Sequence, residues 1–290
     1  EAEHDNLRAA LTWGLVQPGM AEAVAQLVIA LAWFWRIRSH VLEGLIWLEQ
    51  ALSLPDLATA TRAGLLNHAG HLAWMQDDFA LARTREEESL RLWQSLGPPG
   101  RQGAAYASHS LGMALYSAAF QTQPDLTLAM RSFQTSLSLF EEVADEWGIA
   151  FTLSWLARCH MGQHEHSLAL AATEASLAGF RRLENPWGIG LTLSSLADLK
   201  LQAGDLTAAR QLAEEAQTLR RQVGHRHSLG VGLDLLARIA LQEGKPSEAA
   251  AYYHEAIVVF ESLGNMPYAD ELRATLATVQ ADGGAHNASP

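Results

Sequence analysis

The chain has 290 residues, 49% of them hydrophobic and 18% charged, which is typical of a globular protein and excludes a disordered or fibrous one. Acidic residues outnumber basic ones 32 to 20, and the net charge of −12 disfavours direct contact with nucleic acid. The longest apolar run, residues 23–35, is too short to cross a bilayer, and the single cysteine can form no internal disulfide, so we expect a cytoplasmic protein.

The first part of the chain, residues 1–58, has the spacing of amphipathic helices but no clean repeat. We predict a helical entry region with a degenerate repeat here. Three of its tryptophans, Trp33, Trp35 and Trp47, fit core positions. The alternative is that they form a docking face for another domain, because exposed aromatic side chains mark interfaces.

Residues 59–280 contain a repeat with a period of about 40 residues, and such a period predicts a solenoid. The segment WGIA at 147–150 returns as WGIG at 187–190, and alanines recur as Ala169, Ala209 and Ala249. Earlier copies are looser. The stretches 79–96 and 126–143 match the second helix of the unit, and the unit between them is about seven residues longer, an excess that fits residues 117–124.

Each repeat contains two apolar stripes of helical period, separated by a turn such as Gly204-Asp205. Prolines fall where these helices begin or end. We therefore predict an all-α fold, a right-handed superhelical solenoid of antiparallel helix pairs with about fourteen helices and no strands. A capping helix is expected at 266–280, and residues 281–290 are expected to be a disordered tail or linker.

The alanine positions, the Gly204-Asp205 turn and pairs such as Leu196-Ala197 resemble the tetratricopeptide repeat. That repeat usually has 34 residues, so each unit here has about six more, and Lys200 stands where the repeat usually has tyrosine. Long repeats of this kind are similar to those of the MalT-like regulators.

The N-terminal residues 1–13 (EAEHDNLRAALTW), with 32–36 and 43–49, resemble the entry to the helical-repeat region of LuxR-type and NB-ARC signal-transduction ATPases. The resemblance implies a non-enzymatic, ligand-sensing or protein-interaction region of a bacterial transcriptional regulator. The chain has no phosphate-binding loop and no helix-turn-helix with a basic face. We expect those ATPase and DNA-binding modules outside these residues, in a longer parent chain.

In tetratricopeptide repeats the first helix of each pair lines a concave groove, which would bind a protein or a small-molecule effector. Carrying the family's inward positions across gives a predicted groove of Asn67, His71, Trp74, Tyr106, His109, Tyr116, Ser154, Arg158, Ser194, Asp198, Asp234 and Arg238. The alternative is that Arg158, Asp198 and Arg238 pair with one another along the helices, each pair adding roughly 0–1 kcal/mol.

The sequence shows no catalytic set and implies no cofactor. The cluster of Cys159, His160, His164 and His166 lacks the spacing of a structural zinc site, so we interpret it as a polar turn with Cys159 as a small buried residue. His225 and His227 lie at a different turn. The glutamates of 86–88 and 141–142 are predicted on solvated outer faces.

Two other functions stay open. One is a free-standing scaffold or adaptor that binds a peptide or protein. The other, less favoured, is a hydrolase or metal enzyme in the groove, which would need a desolvated carboxylate or a metal there.

Overall fold

The computed structural model describes residues 3–37, 40–122, 126–224, 226–263 and 265–286. These residues form fourteen α-helices and no strand, and sequential helices pack as antiparallel pairs. The predicted all-α repeat fold is therefore confirmed. By its internal contacts the chain divides into two compact units, residues 1–163 (unit 1) and 164–290 (unit 2).

Unit 1 contains eight helices within its described residues, and a single 3₁₀ turn at Pro98–Gly100 precedes the sixth. Their bounds are α1 His4–Leu15, α2 Ala21–Ile37, α3 Val41–Leu52, α4 Thr59–Met75, α5 Phe79–Ser95, α6 Arg101–Thr122, α7 Thr127–Glu142 and α8 Glu146–Gly162. First helices contact each other in sequence, α2 with α4, α4 with α6, and α6 with α8.

Unit 2 contains six described helices, in which α10 packs on α11 and α12 on α13. Their bounds are α9 His166–Arg182, α10 Pro186–Gln202, α11 Leu206–Val223, α12 Arg226–Gln242, α13 Pro246–Ser262 and α14 Met266–His286. The first helices α10 and α12 are again in contact. The last helix packs on α13 and ends at His286, and residues 287–290 of the predicted tail lie outside the described residues.

Side-chain caps fix where several helices begin. Asp145 accepts a hydrogen bond from the amide of Gly148 at 2.8 Å, and Asn185 does the same for Gly188, also at 2.8 Å. These caps satisfy amides that a helix leaves unpaired at its first turn. The predicted turn at Gly204 is confirmed, since its φ of 79° is a left-handed conformation that glycine adopts at little cost.

The helix pairs approach closely where an aromatic side chain of one second helix lies against a glycine of the next first helix. Phe140 of α7 covers Gly148 of α8, and Phe180 of α9 covers Gly188 of α10. A Cβ at either glycine would overlap the phenyl ring. We call this arrangement the aromatic–glycine contact. Both phenylalanines are fully buried, so the contact belongs to the core of the repeat.

Unit 1 has two main apolar clusters, one around Trp35, Leu48 and Leu65, the other around Phe133 and Trp155. In unit 2 one apolar cluster lies between α12, α13 and α14, and its large, almost fully buried side chains are Leu233, Tyr253 and Phe260. Burying these faces supplies most of the stability of such a fold, because a lone helix pair cannot cover its own apolar side.

The longer repeat predicted between α5 and α7 is accommodated in α6. That helix has 22 residues, against 17 in both α4 and α8. The extra length falls at its C-terminal end, inside the predicted stretch 117–124, of which residues 123–125 lie outside the described residues.

The three tryptophans of the entry region that were predicted to fit core positions have different surroundings. Trp35 is 2% exposed and lies in the core, as predicted. Trp47 is half-buried, and its indole N–H points to Glu43 Oε1 at 3.4 Å. Trp33 is 58% exposed, which contradicts a core position for it. Its ring is covered on one face by the guanidinium of Arg36, 3.8 Å from the ring centroid.

Candidate functional site

The predicted groove residues lie on the first helices of both units. In unit 1 they stand on three helices in successive contact, α4, α6 and α8. The α4 members are Asn67, His71 and Trp74; the α6 members are Tyr106, His109 and Tyr116; the α8 members are Ser154 and Arg158. In unit 2 Ser194 and Asp198 lie on α10, and Asp234 and Arg238 on α12.

Four rings in unit 1 form a continuous line, which we call the aromatic row: His71, Trp74, Trp155 and Tyr116. Ring centroids are 5.6 Å apart for His71 and Trp74, 6.3 Å for Trp74 and Trp155, and 5.4 Å for Trp155 and Tyr116. The last two pairs meet edge to face, a favoured geometry for aromatic rings. The indole N–H of Trp74 donates to Ser117 Oγ at 2.8 Å. The row thus joins α4, α6 and α8.

An arginine lies at each end of the aromatic row. The guanidinium of Arg158 is 5.0 Å from the ring centroid of Trp155 and 5.9 Å from that of Tyr116. Arg158 is exposed. At the other end Arg36 Nη1 lies 3.2 Å from His71 Nε2. Burial lowers the pKa of Arg36 to about 10 and, with the charge of Arg36, holds the pKa of His71 well below its usual value. His71 is therefore neutral near pH 7.

Two predicted groove residues are buried and support the row instead of facing solvent. His109 is 4% exposed, its Nδ1 lies 3.0 Å from Thr152 Oγ1, and its ring stacks on Phe151 at 4.6 Å. Burial lowers the pKa of His109 to about 3. Ser154, 3% exposed, donates to the carbonyl of Phe151 at 2.7 Å.

Tyr106 lies near the start of α6, apart from the ring contacts of the row. Its hydroxyl donates to Asp145 Oδ2 at 2.8 Å, and burial and the neighbouring carboxylate raise its pKa. Since Asp145 also caps α8, this bond ties α6 to the start of α8.

Asn67 pairs with a glutamate in the interior of unit 1. Its side-chain N–H donates to Glu86 Oε2 at 2.7 Å, and Glu86 is fully buried. The prediction that residues 86–88 form a solvated face is wrong for Glu86, because α5 turns that position toward Gly70 of α4, where a Cβ would overlap the carboxylate. Burial raises the pKa of Glu86 well above its usual value. Glu141 and Glu142 are exposed, as predicted.

The first-helix face of unit 2 has a different character. Arg238 Nη2 donates to Asp198 Oδ1 at 2.7 Å, so these two residues pair between α12 and α10. Ser194 donates within its own helix, to the carbonyl of Gly190 at 3.1 Å. Burial raises the pKa of Asp234, which lies near Tyr268. The charged residues of this face therefore fit the alternative that they pair with one another.

The cysteine and histidines around residue 160 do not come together as ligands. Within the residues that the structure describes, no group of three or more His, Cys, Asp or Glu side chains is placed to hold a metal ion. Cys159 is fully buried, as predicted, and burial raises the pKa of its thiol to about 12. The rings of His164 and His166 are 6.3 Å apart. His225 lies outside the described residues, and no described helix has the length and hydropathy needed to cross a membrane.

Trp155 and Arg36 are the members of this site that the sequence did not single out. Trp155 directly follows Ser154, a predicted inward position. Its contact with the other rings of the row depends on how α8 is rotated, which the sequence does not specify. Arg36 lies in the entry region, where the repeat register is lost. Its position next to His71 depends on the contact of α2 with α4.

Comparisons with known proteins agree with the repeat. The tetratricopeptide-repeat family profile matches residues 188–262, and no curated protein sequence matches the chain significantly. A Rap protein complexed with Competence and Sporulation Factor aligns with a TM-score of 0.64 and 10% identity over 92% of this chain and 77% of that one.

Two further structures are similar. A signal transduction ATPase with numerous domains (STAND) and a tetratricopeptide repeat sensor, from Pyrococcus horikoshii, has a TM-score of 0.62 and 12% identity, covering 92% of this chain and 41% of that one. BtubC from P. vanneervenii has a TM-score of 0.57 and 16% identity, covering 88% and 92%. The chain therefore has a tetratricopeptide-like helical-repeat fold, which generally serves as a protein-interaction scaffold.

Proposed function

We propose that the chain is the non-enzymatic sensing region of a bacterial transcriptional regulator of the signal-transduction ATPase type, and that it binds an effector or partner through the aromatic row of unit 1. The observation that carries the proposal is the row itself. Three half-buried rings, the buried indole of Trp155 and an exposed guanidinium lie together on three adjoining first helices. Rigid aromatic groups beside an arginine are the usual anchors of recognition surfaces.

The chemistry of the row defines what it would bind. Ring faces favour a flat or apolar group, and Arg158 adds a charged donor at one end. The charged side chains in contact with the row are two arginines, Arg36 and Arg158. The occupant would therefore combine an apolar or planar part with a hydrogen-bond acceptor or a negative charge.

Such an occupant would act as a switch through differential binding. In a repeat fold each helix pair contacts only its neighbours, so a molecule that bridges α4, α6 and α8 favours one spacing of those helices. It can shift the equilibrium between two states only by its difference in affinity for them. The proposed output is altered contact with an ATPase module of the parent chain.

The regulatory context has separate support. Residues 1–13 resemble the entry to the repeat region of the signal-transduction ATPases, and the P. horikoshii STAND structure aligns over 92% of this chain. The gene tests this directly. An open reading frame that places a phosphate-loop ATPase before residue 1 and a helix-turn-helix at either end supports the proposal, and one without an ATPase rejects this context.

The role of the row is tested in that parent protein with Arg158→Ala. Arg158 is exposed, so the substitution should leave the fold intact. We expect the transcriptional response to the inducing condition, measured with a reporter, to fall at least tenfold, while the matched control Arg131→Ala on the exposed surface of α7 responds like the wild type. Equal responses of the two variants would remove the row from the mechanism.

A free-standing scaffold or adaptor is the second candidate function. The alignment with BtubC, which covers 92% of that chain, supports it because the match extends over nearly a whole protein. In that case the reading frame would contain no ATPase. The same Arg158→Ala and Arg131→Ala pair would then be compared by affinity for a purified partner.

A further inference from the structure

In the core of unit 2, one copy of the repeat has a residue of a different kind from the residue at the same position in the other copies. Phenylalanine occupies this position in three copies, as Phe140, Phe180 and Phe260, and each is buried. The copy on α11 has Arg220 instead. Arg220 is no more exposed than a core residue, at 6%. A guanidinium thus stands where the repeat otherwise packs a phenyl ring.

The buried guanidinium has donors that nothing in the described residues accepts. Nε and Nη1 of Arg220 are enclosed and have no hydrogen-bond partner among the residues that the structure describes. Burial alone lowers the pKa of Arg220 to about 10, with no neighbouring carboxylate contributing. An unpaired charge in a protein interior is costly, and buried donors normally have partners.

Three positions near Arg220, residues 217, 228 and 232, also differ from the other copies of the repeat. Gln217, 2% exposed, replaces the leucine or isoleucine of the other copies, and its Oε1 also has no partner among the described residues. Its side-chain N–H donates to the carbonyl of Leu229 at 3.2 Å. Ser228 stands where the aromatic–glycine contact has Gly148 and Gly188.

The difference at residue 232 makes room for the polar side chains of Arg220 and Gln217. Gly232 of α12 replaces the threonine that the two preceding copies have as Thr152 and Thr192. A Cβ at residue 232 would overlap both Arg220 Nη1 and Gln217 Oε1. The substitutions at 217, 220, 228 and 232 are therefore one coordinated replacement of an apolar contact by a polar one at the junction of α11 and α12.

We infer that the junction of α11 and α12 is a binding site for a small oxyanion, a carboxylate or an inorganic phosphate or sulfate, that pairs with Arg220. The planar guanidinium matches the geometry of such anions and binds them through parallel N–H donors. An oxyanion would supply the missing counter-charge and the acceptors that Nε and Nη1 of Arg220 lack, whereas Gln217 Oε1, itself an acceptor, would still need a donor. The site lies in unit 2 and is independent of the aromatic row.

The test measures the thermal midpoint of the protein in phosphate, sulfate and acetate, each at constant ionic strength set with sodium chloride. We compare the wild type with Arg220→Met, an apolar side chain of similar length, and with Arg221→Ala, which removes an exposed neighbouring charge. A ligand that binds only the folded state should raise the midpoint by about 5 °C at a hundred times its Kd.

We expect at least one oxyanion to raise the midpoint of the wild type and of Arg221→Ala, and to have no such effect on Arg220→Met. If Arg220→Met does not fold, Arg220→Phe with Ser228→Gly takes its place, since this pair restores the aromatic–glycine contact of the other copies. Equal responses of all proteins to every anion would mean that the site holds only water, and would overturn the inference.

Discussion

Glu86 brings a carboxyl group into the interior of unit 1, between α4 and α5. Its Oε2 accepts from Asn67 at 2.7 Å, while its Oε1 has no partner among the described residues. Because burial raises its pKa well above the usual 4.5, the carboxyl favours the neutral, protonated form in the folded protein. A neutral carboxyl group can be replaced by an amide with little loss.

We therefore expect Glu86→Gln to fold with a free energy of unfolding within about 1 kcal/mol of the wild type at pH 5. As the pH rises from 4.5 towards the raised pKa, the wild type loses stability because the unfolded carboxyl ionises more readily. The difference should grow in favour of the variant by at most about 1.4 kcal/mol per pH unit.

Urea unfolding at pH 5, 7 and 9 measures this difference. Glu88→Gln is the matched control, since Glu88 lies two residues further along the same helix and is half-buried rather than fully buried. A Glu86→Gln variant whose stability relative to the wild type does not change with pH would show that the buried carboxyl is ionised throughout.

At the scale of the helix pair, the aromatic–glycine contact sets how closely successive pairs pack. Glycine inside a helix is unfavourable by roughly 1 kcal/mol relative to alanine, so its recurrence needs a packing reason. In α10 such a packing reason exists for Gly188 but not for Gly190. A Cβ at Gly188 would overlap the ring of Phe180, whereas one at Gly190 would meet its nearest atom, the carbonyl oxygen of Ala216, at 3.4 Å.

This difference predicts opposite effects of the same substitution. Gly188→Ala should lower the free energy of unfolding by about 1–3 kcal/mol, because the ring of Phe180 has to move within a close-packed core. Gly190→Ala should be neutral or stabilise by up to about 1 kcal/mol through helix propensity. Urea unfolding of the two variants checks both, and equal destabilisation would mean that the contact with Phe180 does not decide the packing.

The repeat pairs were predictable from sequence because their signal is periodic. Alanines and leucines at helical spacing, turns such as Gly204-Asp205, and the 40-residue period specify which segments pair. The side chains of the site were less predictable. Whether Glu86 or Glu88 faces inward depends on a rotation of α5 that three adjacent glutamates do not reveal. The Arg36–His71 contact depends on the packing of α2 on α4, where the repeat register is lost.

In each unit an ion pair links residues of different elements, α1 with α3 in unit 1 and α11 with the turn after α12 in unit 2, and keeps its carboxylate ionised. In unit 1 Arg8 Nε lies 2.7 Å from Glu43 Oε1, and in unit 2 Arg210 Nη2 lies 2.7 Å from Glu243 Oε2. These hydrogen-bonded arginines lower the pKa of Glu43 and that of Glu243 to about 2. The stability that these two carboxylates contribute is present above their usual pKa of 4.5 and is lost as the pH falls towards 2.

Three histidines with lowered pKa values make the protein lose stability at a higher pH than the paired carboxylates do. Burial lowers the pKa of His109 to about 3 and that of His68 to about 4, and the pKa of His71 also lies well below 6.5. Folding favours their neutral forms, so the stability they contribute is present above pH 6.5 and is lost as the pH falls from there towards the lowered values.

We therefore expect the free energy of unfolding to decrease between pH 7 and pH 5, well before the paired carboxylates titrate. The slope should be at most about 1.4 kcal/mol per pH unit for each histidine, and His109→Gln should remove one such contribution because an amide does not titrate. Urea unfolding at pH 7, 6 and 5 measures both slopes. Equal slopes for the wild type and His109→Gln would mean that His109 is protonated as easily in the folded chain as in the unfolded one.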